Sequence, residues 1–191
     1  TLIGATTRAG LLSGPLRDRF QVREHLGFYT VEELTEIVRR NARKLSVHVA
    51  EDAAREIASR SRSTPRIANN RLRWVRDYAQ SRADGRVTLE VANAALQMAG
   101  IDKLGLGKQD RDYLKTIIRV FGGGPAGIEA IAHTMNASND TLEDEVEPFL
   151  LRSELVVRTP RGRMVTAKTY QHLDLRAPDD DTPGQQRRLF D

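Results

Sequence analysis

The sequence predicts a mainly α-helical chain with a short α/β segment at its front and a winged helix at its rear. Three observations carry this expectation. Helical apolar periodicity fills most of residues 30–150, glycine- and proline-rich breaks divide it, and strand-like runs are confined to residues 1–8, 155–158 and 163–166.

Residues 1–8 read as a strand, because Leu2, Ile3 and Ala5 lead into Thr6-Thr7. One strand cannot stand alone, so its partners are expected in sequence outside this chain. Gly14-Pro15 opens a short segment carrying Arg17 and Arg19, and residues 22–28 connect onward. Thr30 and Glu33 then form a capping box for a helix with Leu34, Ile37, Val38 and Leu45 inward. A second helix over residues 51–60 buries Ala54, Ile57 and Ala58. Thr64-Pro65 supplies an N-cap and a first-turn proline for a third, whose face is Ile67, Leu72, Val75 and Ala79. A fourth begins near Thr88, turns Val91, Ala95, Leu96 and Met98 inward, and ends at Gly100.

Residues 101–108, with Gly105 and Gly107, read as a linker. Beyond it, Leu114, Ile117, Ile118 and Phe121 mark a helix over 110–121, and Gly122-Gly-Gly-Pro125 breaks it. A second helix spans 128–135, and a third spans 141–151 with a kink or irregular turn expected at Pro148. Strands over 155–158 and 163–166 flank Thr159-Pro-Arg-Gly162. Three helices followed by a hairpin make a winged helix, a variant of helix-turn-helix. Residues 177–191 read as a disordered tail.

Composition narrows the function. The chain has 191 residues, 39% hydrophobic and 29% charged, with 5% aromatics and no cysteine, which excludes disulfides and thiolate metal sites. No apolar run reaches the length of a membrane span and no signal-peptide pattern leads the chain, so a cytoplasmic protein without membrane partners is expected. A net charge of +4 permits nucleic-acid binding without requiring it. The distribution says more. Residues 39–82 hold twelve basic and four acidic side chains, 152–168 hold five and one, and 140–147 hold five acidic and no basic ones. Alternating blocks point to surfaces with different tasks.

Three segments could carry chemistry. ATP hydrolysis builds negative charge on the transferring phosphoryl group, and an arginine supplied across a subunit interface raises the rate by roughly 10³–10⁵. Arg17 and Arg19 are candidates for that role, with Phe20 as an anchor; the plainer alternative pairs them with Asp18 or nearby acids on the surface. At Thr64-Pro65-Arg66, a helix N-terminus attracts phosphate through free amides, and Arg66 adds a full charge. The plainer alternative there is an ordinary capped helix. Tyr29 could pack on an adenine ring or serve as a core aromatic. The hairpin tip carries Arg158, Arg161 and Arg163, suited to phosphates or a minor groove, or else to a charged protein-interaction turn. The preceding helix carries Glu143, Asp144, Glu145 and Glu147, which phosphates would repel, so DNA contact is expected on the wing. Histidines 25, 48, 133 and 172 show no ligand spacing, and no metal site is expected. The phosphate-cradling pattern G-x-x-x-x-G-K-[ST] is not present, so the ATP cradle is expected elsewhere.

In order, the segments TLIGATTRAG, PLRDRF, FYT, STPRIA, DRDYLKTII, FGGGPAG, EPFL and RTPRGR resemble the RuvB family of hexameric AAA+ motors that drive Holliday-junction branch migration in bacteria. The resemblance covers residues 1–176, and departs where the family usually carries Gly and this chain has Ser63. It implies that residues 1–30 end a large AAA+ ATPase subdomain, 31–101 form the four-helix AAA+ lid, and 104–176 form a winged-helix DNA-binding head. It implies Thr7 as sensor 1, Arg19 as the trans-acting finger supported by Arg17, Tyr29 at the nucleotide base, Arg66 as sensor 2, and Arg158 and Arg163 as DNA contacts. It further implies ATP with Mg2+, a homohexamer, duplex DNA and Holliday junctions as substrates, and RuvA with the RuvABC resolvasome as partners. The P-loop lysine and Walker B acids have no counterpart in this chain. A clamp-loader-like AAA+ subunit and a non-enzymatic winged-helix DNA-binding protein are the alternatives.

Overall fold

The computed structural model describes residues 2–6 and 9–177. Thr7 and the expected tail from 178 onward lie outside the described residues. Residues 2–6 are exposed and carry no regular structure, so the strand expected over 1–8 is not formed there. A ladder needs a partner, and among the described residues none lies beside this segment. A 3-10 turn (Ala9–Leu11) and α1 (Gly14–Asp18), with Pro15 in its first turn, follow.

Helices α2 (Val31–Lys44), α3 (Glu51–Ser59), α4 (Pro65–Arg82) and α5 (Leu89–Met98) form the first bundle. The Thr30 hydroxyl accepts from the Glu33 amide at 3.2 Å, and the Glu33 carboxylate accepts from the Thr30 amide at 2.9 Å. Two otherwise unpaired amides are thereby satisfied. Leu34, Val38, Ile57, Leu72, Val75 and Leu96 meet in the interior, interleaved with Ala42, Ala53, Ala54, Ala58, Ala68, Ala79, Ala92 and Ala95. Met98, expected inward, is exposed because it closes the last turn of α5. A parallel bridge between Val49 and Val87 ties the loop before α3 to the loop before α5.

The second unit comprises α6 (Lys108–Phe121), α7 (Ile128–Met135), α8 (Asn139–Thr141), α9 (Glu147–Arg152), β1 (Val156–Thr159), β2 (Gly162–Val165) and α10 (Ala167–His172). Its core holds Leu106, Tyr113, Leu114, Ile117, Ile131, Leu142, Val146, Leu150 and Leu155. A π-helical turn (Leu142–Val146) joins α8 to α9, closed by the Glu147 amide donating to the Leu142 carbonyl. The irregularity expected at Pro148 is this wide turn: proline has no amide to give to the preceding turn, and an extra residue takes up the mismatch. Strands β1 and β2 are antiparallel, with Arg158 opposite Arg163 and Thr159 opposite Gly162. Ala126 bridges β2 at Arg163, donating at 2.9 Å and accepting at 2.8 Å. Gly162, at φ +138°, is required there, since a Cβ would stand 2.5 Å from the Ala126 carbonyl oxygen. Helix α10, which the periodicity did not reveal, closes the unit by burying Thr169 and Tyr170.

The segment expected as a linker is packed. Gly105 adopts φ +84°, and any Cβ there would overlap the Arg60 carbonyl. Leu106 is fully buried. The Gly105 carbonyl accepts from Arg62 Nε at 3.1 Å and from Arg71 Nη2 at 3.0 Å, and Arg111 donates to the carbonyls of Gly100 and Leu106 at 2.8 and 2.7 Å. Asp102 accepts from the Leu106 amide at 2.8 Å and meets His172 at 2.9 Å. Glycine here allows close approach of two bodies, where composition alone reads as slack.

Candidate nucleic-acid and nucleotide-facing sites

The hairpin register sets the wing's chemistry. Arg158 and Arg163 face each other across the two strands, and like charges in that position repel. Glu147, the first residue of α9, relieves the repulsion from beneath. Its side chain is fully buried, Oε2 accepts from Arg158 Nε at 3.0 Å, and Oε1 accepts from Arg163 Nε at 2.8 Å. Tyr113 donates its hydroxyl to the same carboxylate at 2.5 Å. Burial works to raise the Glu147 carboxyl, but the hydrogen bonds from Arg163, Tyr113 and Arg158 outweigh it and hold the group below the usual carboxylate range. Burial pushes the Tyr113 hydroxyl up, reinforced by Glu147. Arg163 also pairs with Glu143 at 2.7 Å.

The three wing arginines therefore differ in what they touch within the chain. Arg163 is spent on Glu147 and Glu143, with its side chain only 15% exposed. Arg158 is half exposed while still bonded to Glu147. Arg161, at the turn, is exposed and has no ion pair among the described residues. The acidic helix changes too: Glu147 is internal and Glu143 pairs with Arg163, while Asp140, Asp144 and Glu145 are exposed. Sequence reasoning missed the Glu147 anchor, although a two-residue hairpin turn already places residues 158 and 163 side by side and calls for an anion.

At the other end, Arg17 and Arg19 are exposed, and Arg19 is the C-cap of α1. Asp18, a partner for them in the plainer alternative, pairs with Arg23 at 3.5 Å. Tyr29 is 44% exposed, unlike a core aromatic. Arg66 is exposed on the first turn of α4, next to Pro65. Thr64 occupies the N-cap position, but its hydroxyl donates to the Arg62 carbonyl at 3.0 Å and does not cap. The first-turn amides of α4 thus have no side-chain acceptor, an arrangement that fits a phosphate. Among the described residues, no cluster of three or more His, Asp or Glu could hold a metal ion, and no helix is long and apolar enough to cross a membrane.

Comparison with known proteins places this geometry. A family model described as the RuvB AAA lid domain matches residues 29–102, and one described as the RuvB C-terminal winged helix domain matches residues 103–174. The chain belongs to the RuvB family. It is 68% identical over 179 residues to the Holliday junction branch migration complex subunit RuvB of Rhodopirellula baltica, covering 94% of this chain and 49% of that protein. The Myxococcus xanthus subunit of the same name is 50% identical over 190 residues, covering 100% of this chain and 54% of that one. The structure of the Thermotoga maritima RuvB Holliday junction branch migration motor superposes with a TM-score of 0.85 at 46% identity, over 92% of this chain and 59% of that chain. The chain spans about half the length of the curated relatives it matches. The α2–α5 bundle is the family's lid, and the second unit is its winged helix with a small two-strand wing.

Proposed function

We propose that these residues are the lid and DNA-engaging parts of an ATP-driven motor that pumps duplex DNA through Holliday junctions, working as a homohexamer alongside RuvA and the RuvABC resolvasome. The observation that carries the reading is the presence, in one chain, of both RuvB domains with high identity to subunits named for branch migration. The geometry supports it from both ends. Arg161 and the outer part of Arg158 are the wing cations free to meet a backbone, and phosphate contacts suit a motor that must step through any sequence. Arg163 holds the wing in shape.

ATP, with its Mg2+, supplies the free energy of phosphoryl transfer. Pro65, Arg66 and the uncapped start of α4 would face the phosphates, with Arg66 as sensor 2, and Tyr29 would face the base. Arg19, supported by Arg17, would reach a neighbouring subunit's nucleotide and offset charge there. Thr7 is assigned sensor 1 by resemblance alone. The cradle for the nucleotide belongs to sequence outside this chain, because the phosphate-binding pattern is not within it.

The test is a parent chain that joins these residues to an intact ATP-binding half. It should move a synthetic four-way junction with ATP and RuvA, and turn over ATP faster with duplex DNA. Duplex binding confined to one sequence, with no junction movement, would favour the DNA-binding-protein alternative and defeat this reading.

A further inference from the structure

The lid and the winged helix meet at a group of side chains that neither the wing nor the nucleotide-facing residues use. Arg62 stands at its centre, four positions before Arg66. Its Nη2 pairs with Asp110, the third residue of α6, with only 17% and 4% of the two side chains exposed. Its Nε donates to the Gly105 carbonyl, and its own carbonyl accepts from Arg152 Nη2 at 2.8 Å. Arg152 is the last residue of α9, whose first residue is the wing anchor Glu147. The Arg152 guanidinium lies 3.7 Å over the ring of Phe28, the neighbour of Tyr29. Both guanidinia also stack on Phe149, at 5.0 and 5.4 Å.

Stability alone gives little reason for this arrangement. A buried ion pair is weak evidence for stability, because desolvation offsets the attraction. Burial raises the Asp110 carboxyl despite Arg62. Burial, with Arg62 adding to it, lowers the Arg71 guanidinium to about 10. Arginines crowded around one acid cost free energy, and what they fix is orientation. Arg62 and Ser63 both sit at positive φ, 53° and 54°, so the loop that presents Arg66 is strained into the shape that reaches Asp110.

We propose that Phe28, Arg62, Asp110 and Arg152 are positioning residues that make the winged helix follow the nucleotide-facing end of the lid. The route runs from the start of α4 through Arg62 to Arg152, and along α9 to Glu147 under the wing. This rests on the motor reading, and it adds which side chains transmit the change.

The experiment measures duplex affinity of the parent chain with ADP and with a non-hydrolysable ATP analogue. If the sites are coupled, the two affinities differ by a factor of about 5–150. Arg62→Met combined with Asp110→Leu removes the pair without stranding a buried charge. Phe28→Leu is a second variant at a largely exposed ring, where folding is not at stake. Both should bring the affinity ratio close to one and stop junction movement, while for Phe28→Leu nucleotide affinity and the melting temperature stay unchanged. A ratio that persists in both variants, or an unsubstituted chain that moves junctions with no ratio at all, overturns the proposal and spares the motor reading. A parent chain that moves no junctions defeats the motor reading itself.

Discussion

Glu147 shows how much one carboxylate can organise. It sits under two arginines that would otherwise repel each other across the hairpin, so replacing it should loosen the wing more than any single arginine change. Its folded pKa is depressed, so its stabilisation is present above the unfolded value near 4.3 and is lost as pH falls through the lower folded value. Asp110 works in the opposite sense: its raised folded pKa means that its contribution is fully present below the unfolded value and is lost as pH rises through the folded one. Glu147→Gln should lower stability at pH 7 by up to about 3 kcal/mol, toward the low end for broken buried pairs because Arg158 can turn to solvent. Thermal melts from pH 7 down to below about 4 should show that gap closing. Arg161→Ala should weaken duplex binding equally on unrelated sequences and lower the salt slope by about one, with no change in melting temperature. Arg163→Ala should lower the melting temperature. The arginines themselves were legible in the sequence. Their division of labour was not, because the charge pattern does not say which carboxylate lies beneath them.

The helices announce themselves through local signals, and the capping box at Thr30 and the bound at Thr88 appear where those signals place them. The failures have physical causes. Thr64 has a cap's position but turns its hydroxyl to Arg62. Helix α10 has only six residues, too few for a period to show. Residues 101–108 carry the glycines of a linker, yet one of those glycines is there to let Arg60 approach. Gly105→Ala should therefore cost more than the ordinary glycine-to-alanine change, by roughly 2–4 kcal/mol, since it adds both a clash and a left-handed penalty. Chemical denaturation of the 191-residue chain measures it. Ser63→Gly should go the other way, relieving part of about 1 kcal/mol of left-handed strain.

At the scale of the whole molecule, the lid and the winged helix are two units that differ in fold and in surface charge. The family and its two domains were legible through a long ordered series of motifs, while the junction between them was not, because it depends on contacts between residues far apart in sequence such as Arg62 with Asp110 and Arg152 with Arg62. The chain by itself should show no ATP turnover above background in a phosphate-release assay, with or without duplex. In a parent chain, Arg19→Ala should slow hydrolysis by about 10³-fold or more while nucleotide binding holds. Mixing that variant with a subunit defective in its own cradle should restore some turnover if the arginine acts across the interface.

The alanines that line the α2–α5 interior have a mechanical meaning. An alanine has no rotamer to change, so helices packed on alanines have few ways to rearrange without separating. Such a body does not absorb a push by yielding inside. Packing of this kind favours movement of the bundle as one body over rearrangement inside it.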